Sequence, residues 1–333
     1  MKRPLTPWSL PRDPEILFPN QEFEKLLFEL GWTDPQDWLA HWLNLGGVHL
    51  AKSSWPPGAK SDWIWGLGLP FLTDLERYLV NATQPTLFGI SGLPGCGKTS
   101  LGKWLEAAAI ELNWSVTVVS MDDFYLPGTK LEKAMAGNPW NVPRGLPGSH
   151  SMDLLLQAID SWIDSGDLYA PQFDKALRNG LGDRSGWRSS TTKVLVIEGW
   201  FLGCATAKKN LYDLNMEDLT SLSLTNSEYQ YRKSVQDSLK SYQSLWQKFQ
   251  RLWHLRASSL NFTTAWKRQQ EKQMQQEKGT SLQGKSLDSF VRMIQTSIPS
   301  KCLQSIECDV VANLNADRRI TWLGMKKNFS NLS

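Results

Sequence analysis

Residues 86–100 (TLFGISGLPGCGKTS) constrain this chain more than any other stretch. Thr86 to Ser91 is a short apolar run bounded by Pro85 and Gly92, the pattern of a buried strand. Gly92-Leu93-Pro94-Gly95-Cys96-Gly97-Lys98-Thr99 then fits G-x-x-x-x-G-K-[ST] at every position. Leu101, Trp104, Leu105, Ala108 and Leu112 recur at helical spacing, so a helix follows. Glycines let successive backbone N–H groups turn inward around a phosphate with no Cβ in the way. Lys98 then reaches the outer phosphates, the Thr99 hydroxyl ligates Mg²⁺, and the helix N-terminus brings its positive end to the same anion. The pattern implies a nucleoside triphosphate held on Gly92 to Ser100.

Composition narrows the rest. A chain of 333 residues can form one large domain or one domain with an added lobe. With 41% hydrophobic and 21% charged residues it reads as globular rather than disordered. A net charge of +3 is too small to argue for nucleic acid or an anionic membrane as the main partner. No stretch approaches the roughly 18 apolar residues of a membrane span, and the first residues lack the apolar core of a signal peptide. Cys96, Cys204, Cys302 and Cys308 show neither metal-ligand spacing nor a disulfide framework, which points to a reducing cytoplasm. Cys96 lies near a helix N-terminus, where a thiol pKa can fall, although a small residue filling a loop position is the plainer reading. The 17 Trp are scattered and read as core and helix-packing anchors.

Along the chain, five prolines make residues 1–19 an extended arm. Helices are expected around Phe23–Leu30, from Pro35 behind the Asp34 cap, and over Pro70–Val80, with an irregular connection at 51–68. Residues 1–82 thus read as a helical lobe on a domain of 83–333. Ser115–Met121 and Lys193–Ile197 are further buried strands, 127–150 a long irregular loop, and Met152–Ile163 a helix. Residues 205–225 are polar; Ser234–Phe249 reads as helix, Arg251–Ala257 as a fourth strand, 263–278 as a charged helix or flap. A further helix at Ser286–Thr296 and a terminal strand at Cys308–Leu314 complete the reading. Alternating strands and helices predict an α/β fold: a P-loop NTPase parallel sheet with helices on both faces, plus the N-terminal lobe.

In such folds ligands lie beyond the carboxyl ends of the strands. Met121-Asp122-Asp123-Phe124-Tyr125 follows one strand, and a carboxylate there can accept the proton of an attacking hydroxyl. Glu198-Gly199-Trp200 follows another; an acidic residue closing four apolar ones is placed to orient Mg²⁺ or its waters. Arg144 to His150 and the charged residues Asp174, Lys175, Asp183 and Arg184 read as anion or polar-substrate sites.

The set GxxGxGKTS, SMDDFYL, RGxPGSH, PxFDK…GDR and EGWFLG resembles the D-glycerate 3-kinases of plants, fungi and cyanobacteria, within the uridine kinase, phosphoribulokinase and pantothenate kinase group. The resemblance covers about residues 85–300. It implies Asp122 as catalytic base, and Lys98 and Thr99 in their phosphate-loop roles. It implies Mg²⁺ held through Thr99 and Glu198 with Asp122 nearby, and acceptor contacts from Asp123, Tyr125, Arg144, His150, Asp174, Lys175 and Arg184. Trp266-Lys267-Arg268-Gln269-Gln270-Glu271 looks like the family's lid segment, with Arg268 as the lid arginine. Ser151 and Leu181 stand where the family usually has Asp and Arg. The implied activity is ATP- and Mg²⁺-dependent phosphorylation of D-glycerate, a photorespiratory-type reaction on a small-molecule partner. Another acceptor of the same group, or an ATP-binding regulator, are the alternatives.

Overall fold

The computed structural model describes residues 20–55, 61–81, 84–206, 223–278 and 281–329. The proline-rich arm at 1–19 and most of the polar stretch at 205–225 lie outside the described residues. The centre is a six-stranded sheet in the order β2 (Val116–Ser120), β5 (Val194–Gly199), β1 (Thr86–Gly92), β6 (Arg251–Ala257), β7 (Val310–Leu314) and β8 (Ile320–Met325). The first five are parallel and β8 is antiparallel. Every residue of β1 and β5 is buried, as expected for central strands covered on both faces. The register sets Ser120 and Ile90 on either side of Glu198, so the tips of β2, β5 and β1 end level with one another.

Ten-residue α1 (Asn20–Glu29) and α2 (Pro35–Asn44), with α3 (Leu69–Asn81), precede the sheet. α1 lies against β8. The indole N–H groups of Trp38 and Trp42 both donate to Thr73 Oγ1 of α3, at 2.8 and 3.0 Å. Fully buried Asp74 of α3 accepts from Arg251 Nε (2.8 Å) and Trp253 Nε1 (3.0 Å) of β6. One continuous apolar core runs from Phe23 to Leu323. Most of the tryptophans serve it: Trp38, Trp42, Trp104, Trp162, Trp253 and Trp266 are fully buried, each matching a large apolar body with a satisfied or shielded N–H.

Four stretches differ from the sequence reading. The loop expected at 127–150 contains α5 (Gly128–Met135), whose two turns bury only Leu131 and Met135, too short a pattern to register. Asp174, Asp183 and Arg184, for which the sequence reading names no strand, lie in a two-stranded antiparallel hairpin, β3 (Asp167–Asp174) and β4 (Asp183–Thr191), whose polar, partly exposed strands lack an apolar run. The strand expected to be terminal is followed by β8. Helix α4 (Lys98–Glu111) follows the phosphate loop, and α6 (Met152–Ser165) leads into β3. Then α7 (Asn226–Leu239) starts earlier than expected, with α8 (Phe262–Lys278) and α9 (Gly284–Thr296) after β6.

Candidate active site

The phosphate side is made by backbone. Gly95 and Gly97 have φ of +80° and +111°, a region that side chains disfavour, and this curls the loop before α4. A Cβ on Gly92 would meet the Leu255 carbonyl at 2.8 Å. Lys98 is buried and its ammonium donates to the Leu93 carbonyl at 3.2 Å, arching over the loop. Thr99, the residue after it, donates through its hydroxyl to Glu198 Oε1 at 2.8 Å, joining the start of α4 to the tip of β5. Cys96 is fully buried, and burial raises its thiol pKa, so it fills space and is not a reactive thiolate.

These donors fit a magnesium nucleotide. Thr99 and Glu198 offer hard oxygens, the ligand type Mg²⁺ takes, and phosphates with water commonly complete its shell. Among the described residues no group of three or more His, Cys, Asp or Glu could hold a metal alone. Asp122, also expected at the metal, is not hydrogen-bonded to this pair: its oxygens accept from Tyr125 and Lys175.

The acceptor side is made by side chains from several segments. At the end of β2, Ser120 and Asp123 form a reciprocal cap that turns the chain into a short 3₁₀ helix, Met121–Phe124. Asp123 accepts the N–H of Ser120 (3.4 Å) and of Phe173 (3.2 Å), pinning the hairpin to the sheet. Its expected substrate contact is therefore corrected to a structural role. The turn presents Asp122, whose Oδ1 accepts the Tyr125 hydroxyl (2.8 Å) and whose Oδ2 accepts Lys175 Nζ (2.6 Å). Burial alone would raise the Asp122 pKa, but the Lys175 charge and His150 outweigh it and hold the carboxyl well below its ordinary range. Desolvation opposes the charge on Lys175 in turn, yet Asp122 raises its pKa overall.

His150 enters because the backbone of 149–151 pairs with that of 124–126, through Leu126 N–H to Ser149 O (2.9 Å) and Ser151 N–H to Phe124 O (2.8 Å). Its ring stacks on Tyr125 with centroids 4.5 Å apart. Tyr242 accepts the Gly148 N–H (3.0 Å), which leaves its hydroxyl to donate to His150 Nδ1 (2.8 Å). That assignment puts the ring proton on Nε2, which is buried, without a hydrogen-bond partner, and 4.0 Å from Asp122 Oδ1. Burial lowers the His150 pKa against the opposing pull of Asp122, which favours the neutral ring.

Other expected residues take different places. Arg144 is buried and donates through Nη1 to the carbonyls of Gly180 (2.7 Å) and Leu181 (3.0 Å), bracing the turn of the hairpin. Asp174 is exposed and accepts the Ala176 N–H at 2.8 Å, a turn contact that corrects its expected place at the acceptor. Arg184 donates through Nη2 to Ser151 Oγ (3.0 Å), while its Nε has no partner. Desolvation lowers its pKa.

The lid helix α8 is seated on the phosphate loop: a Cβ on Gly95 would lie 2.9 Å from the Trp266 backbone. Arg268, expected to face the transferring group, has a side chain 62% exposed and pairs with Asp288 at 3.4 Å. Its neighbour Lys267 points inward. It is buried, pairs with Glu271 at 2.5 Å, and lies over the Phe290 ring. Desolvation lowers its pKa, and Lys175 and Asp122 are near enough to act on it. The inward lid cation is Lys267, a correction of one position, which on a helix rotates a side chain by about 100°.

A cavity of about 530 Å³ opens beside these residues, lined among others by Arg144, Arg178, Glu132, Asn138, Gln283 and Phe290. Lys267, Tyr242, Trp63 and Arg318 were not singled out by sequence. Lys267 carried a readable signal, its i,i+4 spacing to Glu271; the others carried none.

The parallel sheet and the phosphate loop together give the chain the fold of the P-loop kinases. No family model matches the chain. A kinase of Schizosaccharomyces pombe, mug58, is 29% identical over 208 residues, covering 59% of this chain and 74% of that protein. The chloroplastic D-glycerate 3-kinase of Arabidopsis thaliana is 26% identical over 220 residues, covering 62% of this chain; the chain spans 45% of the plant protein's length. Among solved structures, D-glycerate 3-kinase from Cryptococcus neoformans superposes with a TM-score of 0.64 at 21% identity, covering 76% of this chain and 96% of that one. The chain thus resembles the D-glycerate 3-kinases in sequence and in fold. Among the described residues, no helix is long and apolar enough to cross a membrane.

Proposed function

We propose that the chain uses ATP with Mg²⁺ to phosphorylate the primary hydroxyl of D-glycerate, giving 3-phosphoglycerate. The observation that carries this reading is the cluster of Asp122, Tyr125, His150 and Lys175 gathered around the tip of β2, beside Lys98 and Thr99 at the start of α4 and Glu198 at the tip of β5. When bound, Mg²⁺ would neutralise charge on the outer phosphates and draw them into line.

The chain's own residues would do the rest. Lys98 binds the outer phosphates. Asp122 accepts a hydrogen bond from the acceptor hydroxyl and orients it. A carboxylate with so low a pKa is a weak base, which suits a loose transition state in which the proton leaves late. The Lys175 side chain is 46% exposed and can turn from Asp122 toward an incoming carboxylate. Arg184, with an open Nε and a neutral partner in Ser151, is the second cation for that group and the one suited to bidentate pairing. Lys267 faces the transferring phosphoryl, and α8 excludes water.

The test is release of ADP with and without D-glycerate, followed by identification of the phosphorylated hydroxyl. No stimulation by D-glycerate overturns the reading. The cavity beside Arg144 supports a second one: at about 530 Å³ it has the volume of a drug-sized ligand site and is roomier than a three-carbon acid requires. A nucleoside, pantothenate or sugar phosphate would be the acceptor in that case, and a panel of these against D-glycerate decides between them.

A further inference from the structure

The helical segment before β1 carries no catalytic motif, yet it reaches the phosphate loop. Asp62 is fully buried, and its Oδ2 accepts both Arg319 Nε (3.1 Å) and the Ile320 N–H (3.0 Å). Beside it, the Trp63 indole N–H donates to the Arg318 carbonyl at 2.7 Å. Two consecutive residues of this segment thus hold three consecutive ones, Arg318 and Arg319 of the turn between β7 and β8 and Ile320 at the start of β8. Pinned there, Arg318 has a φ of +58°, a conformation uncommon for a residue with a side chain.

The Arg318 guanidinium then meets two elements of the site at once. Its Nε donates to the Gly95 carbonyl of the phosphate loop at 2.7 Å. Its Nη1 donates to Gln269 Oε1 of the lid at 2.7 Å, and its Nη2 approaches the Trp266 carbonyl at 3.4 Å. These acceptors are all neutral. The surfaces close around the same point: a Cβ on Gly97 would lie 2.7 Å from the Trp63 ring, and the Trp266 N–H donates to the Ala316 carbonyl at 2.6 Å.

We propose that Arg318 is a positioning residue that couples the phosphate loop to the lid, and that Asp62 and Trp63 make the N-terminal helical segment a working part of the nucleotide site. The guanidinium is the piece that fits, because its planar fork can serve carbonyls on two elements together. An ammonium at the same place is a point charge and cannot hold both. The proposal rests on the reading of Gly92–Ser100 as a nucleotide site.

The experiment uses the full chain, with a fluorescent ATP analogue and Mg²⁺ but no acceptor, and follows amide hydrogen exchange in 262–278. Arg318→Gly keeps the backbone conformation, since glycine favours positive φ, and removes the guanidinium. We expect it to weaken analogue binding about tenfold, the loss of hydrogen bonds from a charged group, and to abolish nucleotide-induced protection of the lid. Arg318→Lys should not restore that protection. Trp63→Phe keeps the ring against Gly97 and loses only the N–H; it should weaken binding about threefold in the native chain and have no added effect in Arg318→Gly.

Wild-type chain that fails to bind the analogue overturns the nucleotide site itself, and this coupling with it. Wild-type that binds, with Arg318→Gly binding equally well and protecting its lid, overturns the coupling alone. Additive effects of Trp63→Phe and Arg318→Gly overturn the relay through Arg318.

Discussion

The phosphate side and the acceptor side of this site are built by opposite means. On the phosphate side, eight consecutive residues from Gly92 to Thr99 do most of the work through their backbone, and Glu198 completes it. On the acceptor side, Asp122, His150, Lys175, Arg184 and Tyr242 come from separate segments and act through side chains. A backbone cradle tolerates few sequences, so its spacing is legible. A side-chain cluster exists only after the hairpin, the loop at 144–150 and the 3₁₀ turn that follows α7 (Lys240–Tyr242) have packed together.

The sharpest way to break this contrast is Asp122→Asn. With the phosphate loop untouched, nucleotide binding should stay near normal while kcat falls by about 10²–10⁴, the range for a lost proton acceptor. Steady-state kinetics beside a nucleotide titration decides it; turnover within about threefold of the native chain would remove Asp122 from the chemistry.

Next in size is the lid, where neighbouring residues make opposite predictions. Lys267→Met should cost about 10²-fold in kcat, comparable to losing one preorganised charge donor, whereas Arg268→Met should stay within about twofold. If Arg268→Met is the damaging change, the inward cation has been misassigned.

The phosphate side has its own weak point under acid. His254 of β6 pairs in register with Ser91, just before the loop, and burial lowers its pKa to about 3. The unfolded chain binds a proton near pH 6.5 that the folded chain refuses. This contribution to stability is therefore whole above pH 6.5 and is lost progressively as pH falls toward 3, at about 1.4 kcal/mol per unit. His150, also lowered by burial, acts with the same sign on the acceptor side. Denaturant unfolding at pH 7 and pH 5 should show a shallower acid loss in His254→Gln.

The smallest effect expected is from Tyr242→Phe. Loss of the hydroxyl removes two hydrogen bonds, to His150 and from the Gly148 N–H, and should lower kcat about fivefold, equivalent to about 1 kcal/mol, with nucleotide affinity unchanged. A shift in nucleotide affinity instead would mean that the two sides are not separable.

Much of the sheet was legible because β1, β2 and β5 are continuous apolar runs, and such runs can be satisfied only by burial on both faces. The hairpin β3–β4 was not, since its polar strands pair mainly with each other and leave one face to solvent. Asp122 and Asp123 show the same limit at single-residue scale. Adjacent and chemically identical, one faces the site and the other caps a turn, held there by the N–H groups of Ser120 and of distant Phe173.

By itself, the sequence determined that a phosphate-loop pattern follows a buried strand, and which acidic residues end the neighbouring strands. Local spacing encodes these, because backbone geometry over a few residues leaves no alternative. The tertiary structure alone decided that Lys267 rather than Arg268 turns inward, that Tyr242 sets the tautomer of His150, and that Trp63 reaches Arg318. Those depend on helix rotation and on contacts between residues up to 255 apart in the chain, which no local pattern can record.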